Sequence, residues 1–181
     1  MRIRAAELKG VYVVEMEPHL DERGFFARVF AEEEFAAAGL PIRFPHQNLS
    51  RNTRAGTLRG LHFNEASTRE AKLVRCTSGA IWDVVVDLRR DSPTRFRWFG
   101  LELSADKGNA VFVPEGLAHG FVTLADLSDV FYHMSRPYTP GAGRGARWND
   151  PRFGIRWPVE PVVMSEQDRT YPDFDEATFD G

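Results

Sequence analysis

Apolar and polar positions change over a short period along most of this chain, and long helical stripes are missing. The stretch "GVYVVEM" (10–16) alternates in part. "AKLVRCTSGAIWDVVVDLR" (71–89) reads as two strands joined at Ser78-Gly79. "RWFGLELS" (97–104) continues the pattern, and "NAVFVPEGLAHGFVTL" (109–124) supplies a strand, a Pro-x-Gly turn and another strand. "DVFYHMS" (129–135) follows. One segment, "AEEEFAAAG" (31–39), carries helix signals, with acidic residues early and Gly39 as a stop. Closely spaced strands with little helix predict an all-β antiparallel sandwich or barrel with a few short peripheral helices. The segment from Pro137 onward is rich in turn formers and is expected to wrap the barrel surface. No repeat or composition shift divides residues 1–181, so a single domain is expected.

The segment "AIWDVVVD" (80–87) is the most informative strand. A period of two places Ile81, Asp83, Val85 and Asp87 on one face and Trp82, Val84 and Val86 on the other. Two carboxylates therefore share a face opposite a wholly apolar one. The pattern allows a polar pocket inside a barrel, or a solvent-facing side of an ordinary sandwich.

Composition narrows the partners. Hydrophobic content of 43% and charged content of 27% are those of a soluble globular protein. A net charge of −3 gives no long-range attraction for nucleic acid or an anionic membrane, so neither is expected as a partner. An anionic ligand has to be held by locally placed Arg and Lys. Cys76 is the only cysteine, which excludes an intrachain disulfide and fits a reducing compartment. "MRIRAAELKG" has no apolar signal-peptide core, and no apolar run is long enough to span a bilayer, so a cytoplasmic location is expected.

Two histidines in strand-like surroundings raise the question of a metal. His62 lies in "LRGLHF" and His119 in "PEGLAHGF". Metal-binding barrels of the cupin kind combine such a histidine with an earlier His-x-His and a Glu. Here Asn64 stands where the second histidine of that pair belongs, leaving His62, His119 and Glu65. Two imidazoles and one carboxylate are a poor ligand set, so no metal is expected.

A set of blocks then falls in a characteristic order. They are "DERGFF" (21–26), "QNLSRNTRAGTLRGLHF" (47–63), "KLVRCTSGAIWDVVVDLR" (72–89), "VPEGLAHGF" (113–121), "VFYHMSRPYTP" (130–140), "RWNDPRFGIRWP" (147–158) and "SEQD" (165–168). This series resembles the dTDP-4-dehydrorhamnose 3,5-epimerase family of sugar-nucleotide epimerases. The resemblance implies a cupin-type double-stranded β-helix, or jelly roll, and a cofactor-independent reaction on a dTDP-4-keto-6-deoxyhexose. The C4 ketone acidifies the hydrogens at C3 and C5. A base removes one, an enolate forms, and an acid returns a proton to the opposite face. Such a base must titrate near neutral pH, which suits an imidazole.

By the same resemblance His62 is the base, Asp168 orients it, Tyr132 is the proton donor on the far side of the sugar, and Lys72 stabilises the enolate oxygen. Arg59 and His119 are implied as pocket residues near the sugar and diphosphate, Gln47 and Asn48 as nucleotide contacts, and Tyr138 as the aromatic that stacks on thymine. Arg23 and Phe26 lie in an N-terminal arm, about residues 1–30, that in the family crosses to a neighbouring subunit. A homodimer is thereby implied, with Arg23 suited to a diphosphate.

The chain departs from the family pattern at several positions. Asn64 follows "LHF" where relatives carry glutamine, and the next loop, "EASTRE", lacks their usual proline. Arg28 and Gly143 replace glutamates common in relatives. These changes bear on the sugar and nucleotide accepted, and leave the implied acid, base and orienting carboxylate untouched. Two other readings are compatible with the residues alone: a metal-dependent cupin oxygenase or isomerase, and a non-catalytic sugar-nucleotide-binding jelly roll.

Overall fold

The computed structural model describes residues 1–179. Its strands are β1 (Arg2–Ala5), β2 (Tyr12–Glu15), β3 (His19–Asp21), β4 (Gly24–Phe26), β5 (His46–Asn52), β6 (Leu58–Asn64), β7 (Lys72–Ser78), β8 (Ala80–Asp87), β9 (Trp98–Ser104), β10 (Asn109–Val113), β11 (Leu117–Thr123), β12 (Ser128–Met134) and β13 (Gly143–Gly145). Two short helices, α1 (Glu32–Ala37) and α2 (Glu166–Thr170), accompany them. One sheet has the order β1-β2-β10-β7-β12-β5 and a second the order β13-β6-β11-β8-β9. Neighbours within each sheet are mostly distant in sequence and antiparallel, because the chain passes back and forth between the sheets. This is the expected jelly roll.

Sequence chemistry sets the turns. Gly79 joins β7 to β8 with φ of +69°, a left-handed conformation that costs a residue with a Cβ but not glycine. Helix α1 starts with Glu32, Glu33 and Glu34 in its first turn, which complements the positive end of the helix dipole. Gly39, at φ of +70°, stops it. Phe35 from this helix is fully buried and packs with Leu73 and Phe112 on the outer face of the six-stranded sheet.

Between the sheets lies a core that includes Val74, Cys76, Ile81, Val85, Val111, Phe121 and Val130. A second core forms on the outer face of the five-stranded sheet. There Leu61, Val84, Val86 and Ala118 are covered by Phe153, Phe174 and Phe179 from the chain beyond Pro137. Strand β8 is therefore buried on both faces. Asp83 and Asp87 are 0% exposed, so the solvent-facing alternative for that carboxylate face is excluded. Their face is the inner one, shared with Ile81 and Val85.

Asp87 sits at the end of β8, where Arg89, Ser92 and Thr94 all donate to its carboxylate. These contacts outweigh the upward push of burial and hold its carboxyl below the ordinary value. Asp87 is thus a structural anchor, and Asp83 is the carboxylate left for the barrel interior. Strands β3 and β4 pair only with each other. This hairpin leaves Leu20 79%, Phe25 57% and Phe26 71% exposed. Among the described residues no helix is long and apolar enough to cross a membrane.

Candidate active site

A cavity of about 420 Å³ opens between the two sheets, a volume suited to a small organic ligand. His62 and His119 reach it from β6 and β11 of one sheet, Lys72 and Tyr132 from β7 and β12 of the other. Arg59 and Arg51 add positive charge to its wall.

The His62 Nε2 atom lies 2.6 Å from Asp168 Oδ1. Asp168 comes from α2, whose N-cap, Ser165, accepts a hydrogen bond from the Asp168 amide at 3.0 Å. The Ser165 cap thus fixes the aspartate while the aspartate fixes the imidazole. Asp168 is only 4% exposed. Burial works to raise its carboxyl, but hydrogen bonds and charge from His62, with further hydrogen bonds from the Ser165 hydroxyl and the Gly60 amide, bring it below the usual aspartate value. The carboxylate stays charged and accepts the proton on His62 Nε2, so the Nδ1 atom is the one left to take up a proton when the imidazole carries only one. Tyr171 packs edge-on against the His62 ring at 5.9 Å and completes its setting.

A second histidine–aspartate pair stands beside the first. His119 is the register partner of His62 across the β6–β11 ladder. Its Nε2 lies 2.8 Å from Asp83 Oδ2. The ladder is unusually tight here. A Cβ added to Gly60 would lie 2.6 Å from Gly120 Cα and 2.9 Å from the His119 carbonyl oxygen. Only glycine at 60 lets the strands bring the two imidazoles together.

Tyr132 faces the histidines from the opposite sheet. Burial, reinforced by the negative charge of Glu70 and partly offset by Arg59, pushes its phenol above the ordinary tyrosine value. The group is thus kept as a protonated acid. Lys72 is 19% exposed and lies 3.3 Å from Glu70. Arg59 donates to Asn52 Oδ1 at 2.8 Å.

The cavity thus gathers Arg59, His62, Lys72, His119 and Tyr132, with Asp168 directly behind His62. It does not gather the other candidates. Arg23 is exposed on the free hairpin and pairs with Asp21 at 2.6 Å, and Phe26 lies on the same ribbon. Gln47 is exposed, its register partner being His133. Asn48 Nδ2 contacts Met134 Sδ at 3.0 Å. Tyr138 is 65% exposed, its amide donating to His46 Nδ1. Asp83, Glu70, Arg51 and Tyr171 had no assigned role in the sequence. For Glu70 the one signal was its place two residues before Lys72. Among the described residues no group of three or more His, Cys, Asp or Glu side chains is placed to hold a metal ion. Each pocket histidine has its own aspartate instead.

A jelly roll with an aspartate-paired imidazole on one sheet and a buried phenol on the other defines a class of barrel whose cavity carries groups suited to proton transfer. The family model described as dTDP-4-dehydrorhamnose 3,5-epimerase matches residues 5–176. The chain belongs to this family. A dTDP-4-dehydrorhamnose 3,5-epimerase of Methanothermobacter thermautotrophicus is 42% identical over 173 residues, covering 94% of this chain and 92% of its own. A dTDP-4-dehydrorhamnose 3-epimerase of Streptomyces niveus is 38% identical, covering 93% and 82%. The crystal structure of a dTDP-4-dehydrorhamnose 3,5-epimerase from Bacillus anthracis, with TDP and PPi bound, superposes with a TM-score of 0.92 at 36% identity, covering 96% of this chain and 99% of that one.

Proposed function

We propose that this protein is a cytoplasmic, cofactor-independent epimerase of a dTDP-4-keto-6-deoxyhexose, inverting C3, C5 or both. The observation that carries this reading is the placement of the His62–Asp168 dyad and Tyr132 on opposite sheets of one cavity. Inversion at carbon by proton transfer is served by a base on one face and an acid on the other, and an imidazole and a phenol on opposite walls support that reading. His62 Nδ1 takes the hydrogen next to the ketone. Asp168 stabilises the imidazolium that results, and the electron pair moves onto the ketone oxygen. Lys72 and His119 supply positive charge and a hydrogen bond where that oxygen becomes an enolate. Tyr132 then gives its proton to the opposite face.

Recognition of the nucleotide is assigned to Gln47, Asn48 and Tyr138, as the resemblance implies. The exposed Arg23 and Phe26 serve a second copy of the chain. A hairpin with three large apolar side chains in water is unstable by itself and gains a partner by crossing into a neighbouring subunit, which makes the working unit a homodimer.

The test is NMR of dTDP-4-keto-6-deoxyglucose in D₂O with the enzyme, reading which carbon takes up deuterium. Wild-type protein is expected to label C3, C5 or both, and His62→Ala to label neither. Exchange at the wild-type rate in His62→Ala would refute the base assignment.

A further inference from the structure

We infer that Glu70 is a charged positioning residue of this pocket: its carboxylate anchors the Lys72 ammonium in the wall and places a negative charge in the cleft that shares His62, Lys72 and His119 with the Tyr132 cavity. The inference rests on the epimerase reading for the roles of Lys72 and Tyr132, and on geometry for the rest.

Glu70 precedes β7. Lys72 opens the strand, and Val74, two residues further along it, is the register partner of Tyr132. The Glu70 side chain is only 8% exposed, and its oxygen lies 3.3 Å from Lys72 Nζ. It stands in a cleft with His62, Asn64, Lys72 and His119. A buried carboxylate is costly without a partner, and Lys72 is that partner.

A negative charge in a pocket meant for a diphosphate works against binding. Arg51, Arg59 and Lys72 would attract the ligand more strongly without it. Glu70 therefore sacrifices ground-state affinity and gains two things for the chemical step. The lysine is held at one place, and the phenol is held in its acidic form. The charged and titratable groups that share the cavity with Tyr132 are Lys72 from β7, Arg59 and His62 from β6, His119 from β11, and Arg51 from β5, with Glu70 behind Lys72. Of these, Glu70 acts to retain the proton on the phenol and Arg59 acts to release it.

The experiment is a direct titration of Tyr132, read as the phenolate absorbance difference between a protein and its Tyr132→Phe counterpart. Glu70→Gln is expected to lower the Tyr132 midpoint by about half a pH unit or more, while Glu70→Asp keeps it near wild type. In kinetics, Glu70→Gln is expected to lower KM, to lower kcat, and to draw the alkaline limb of kcat toward neutral. Should Glu70→Gln not fold, the double variant Glu70→Gln/Lys72→Met is compared with Lys72→Met alone, so that only the Glu70 charge differs, and its Tyr132 midpoint is expected to be the lower of the two. An unchanged Tyr132 midpoint in whichever of these comparisons folds would overturn the inference. The titration needs no turnover, so its failure is separable from failure of the epimerase assignment.

Discussion

His62 and His119 are register partners across two adjacent strands, and each hydrogen-bonds a different buried aspartate. The two pairs are alike in chemistry and unlike in origin. Asp83 belongs to the neighbouring barrel strand, whereas Asp168 comes from a five-residue helix far along the chain.

This arrangement separates the two aspartates by experiment. Asp168→Asn keeps the shape but no longer stabilises an imidazolium, and kcat should fall by about 10²- to 10⁴-fold. Asp83→Asn disturbs only the orientation of His119, and a loss of about a hundredfold or less is expected. Steady-state kinetics on both variants, with circular dichroism as the control for folding, checks the ranking.

Removing the acid should uncouple exchange from inversion. In Tyr132→Phe the dyad still takes the hydrogen and can return a deuteron to the same face. Deuterium uptake should persist while inverted product falls by about 10²-fold or more. NMR in D₂O reports both quantities in one sample.

The pH dependence follows from two shifted groups. The Tyr132 phenol is raised, so the acid form persists as pH rises and kcat falls only alkaline of an ordinary tyrosine, about 10. The Asp168 carboxyl is lowered, so the unfolded chain binds its proton more readily than the folded one. Its contribution to stability is present above an unfolded aspartate pKa of about 3.9 and is lost as pH falls through the lower folded value. The stabilities of wild type and Asp168→Asn should therefore begin to approach each other only below about pH 4 and meet below the lowered folded value.

Gly60→Ala should damage both stability and activity. The added methyl meets backbone on both sides, at Gly120 Cα and the His119 carbonyl, and at φ of +123° a Cβ is strained in any case. A loss of about 1–3 kcal/mol is expected by thermal unfolding, with a fall in kcat because His62 and His119 move apart.

Much of the barrel was legible because period-two alternation survives wherever a strand has one face toward the core. The Ser78-Gly79 turn and the Ile81–Asp83–Val85 face were readable for that reason. Strand β5 was not. "HQNLSRN" has no apolar stripe, since Leu49 points to solvent and its other positions are polar. Nor did the sequence decide whether Asp83 met water or the interior. That depended on Phe153, Phe174 and Phe179 covering the opposite face, a contact between positions far apart in the chain. The catalytic candidates were named through the family resemblance and not from the strand pattern, and neighbouring strands bring His62, Lys72 and Tyr132 to one cavity. Arg23, Phe26 and Tyr138 could not be placed in the cavity, since they are not folded against it within one chain.

The location of α2 makes the steering carboxylate one of the last parts to arrive. A ribosome delivers every strand of the two large sheets before Ser165 and Asp168 emerge, so a nascent barrel already owns its imidazole and phenol but has nothing to aim the base. Until the wrapping segment settles the imidazole has no carboxylate behind it, so a chain cut short before Ser165 is expected to move protons far more slowly than the whole protein.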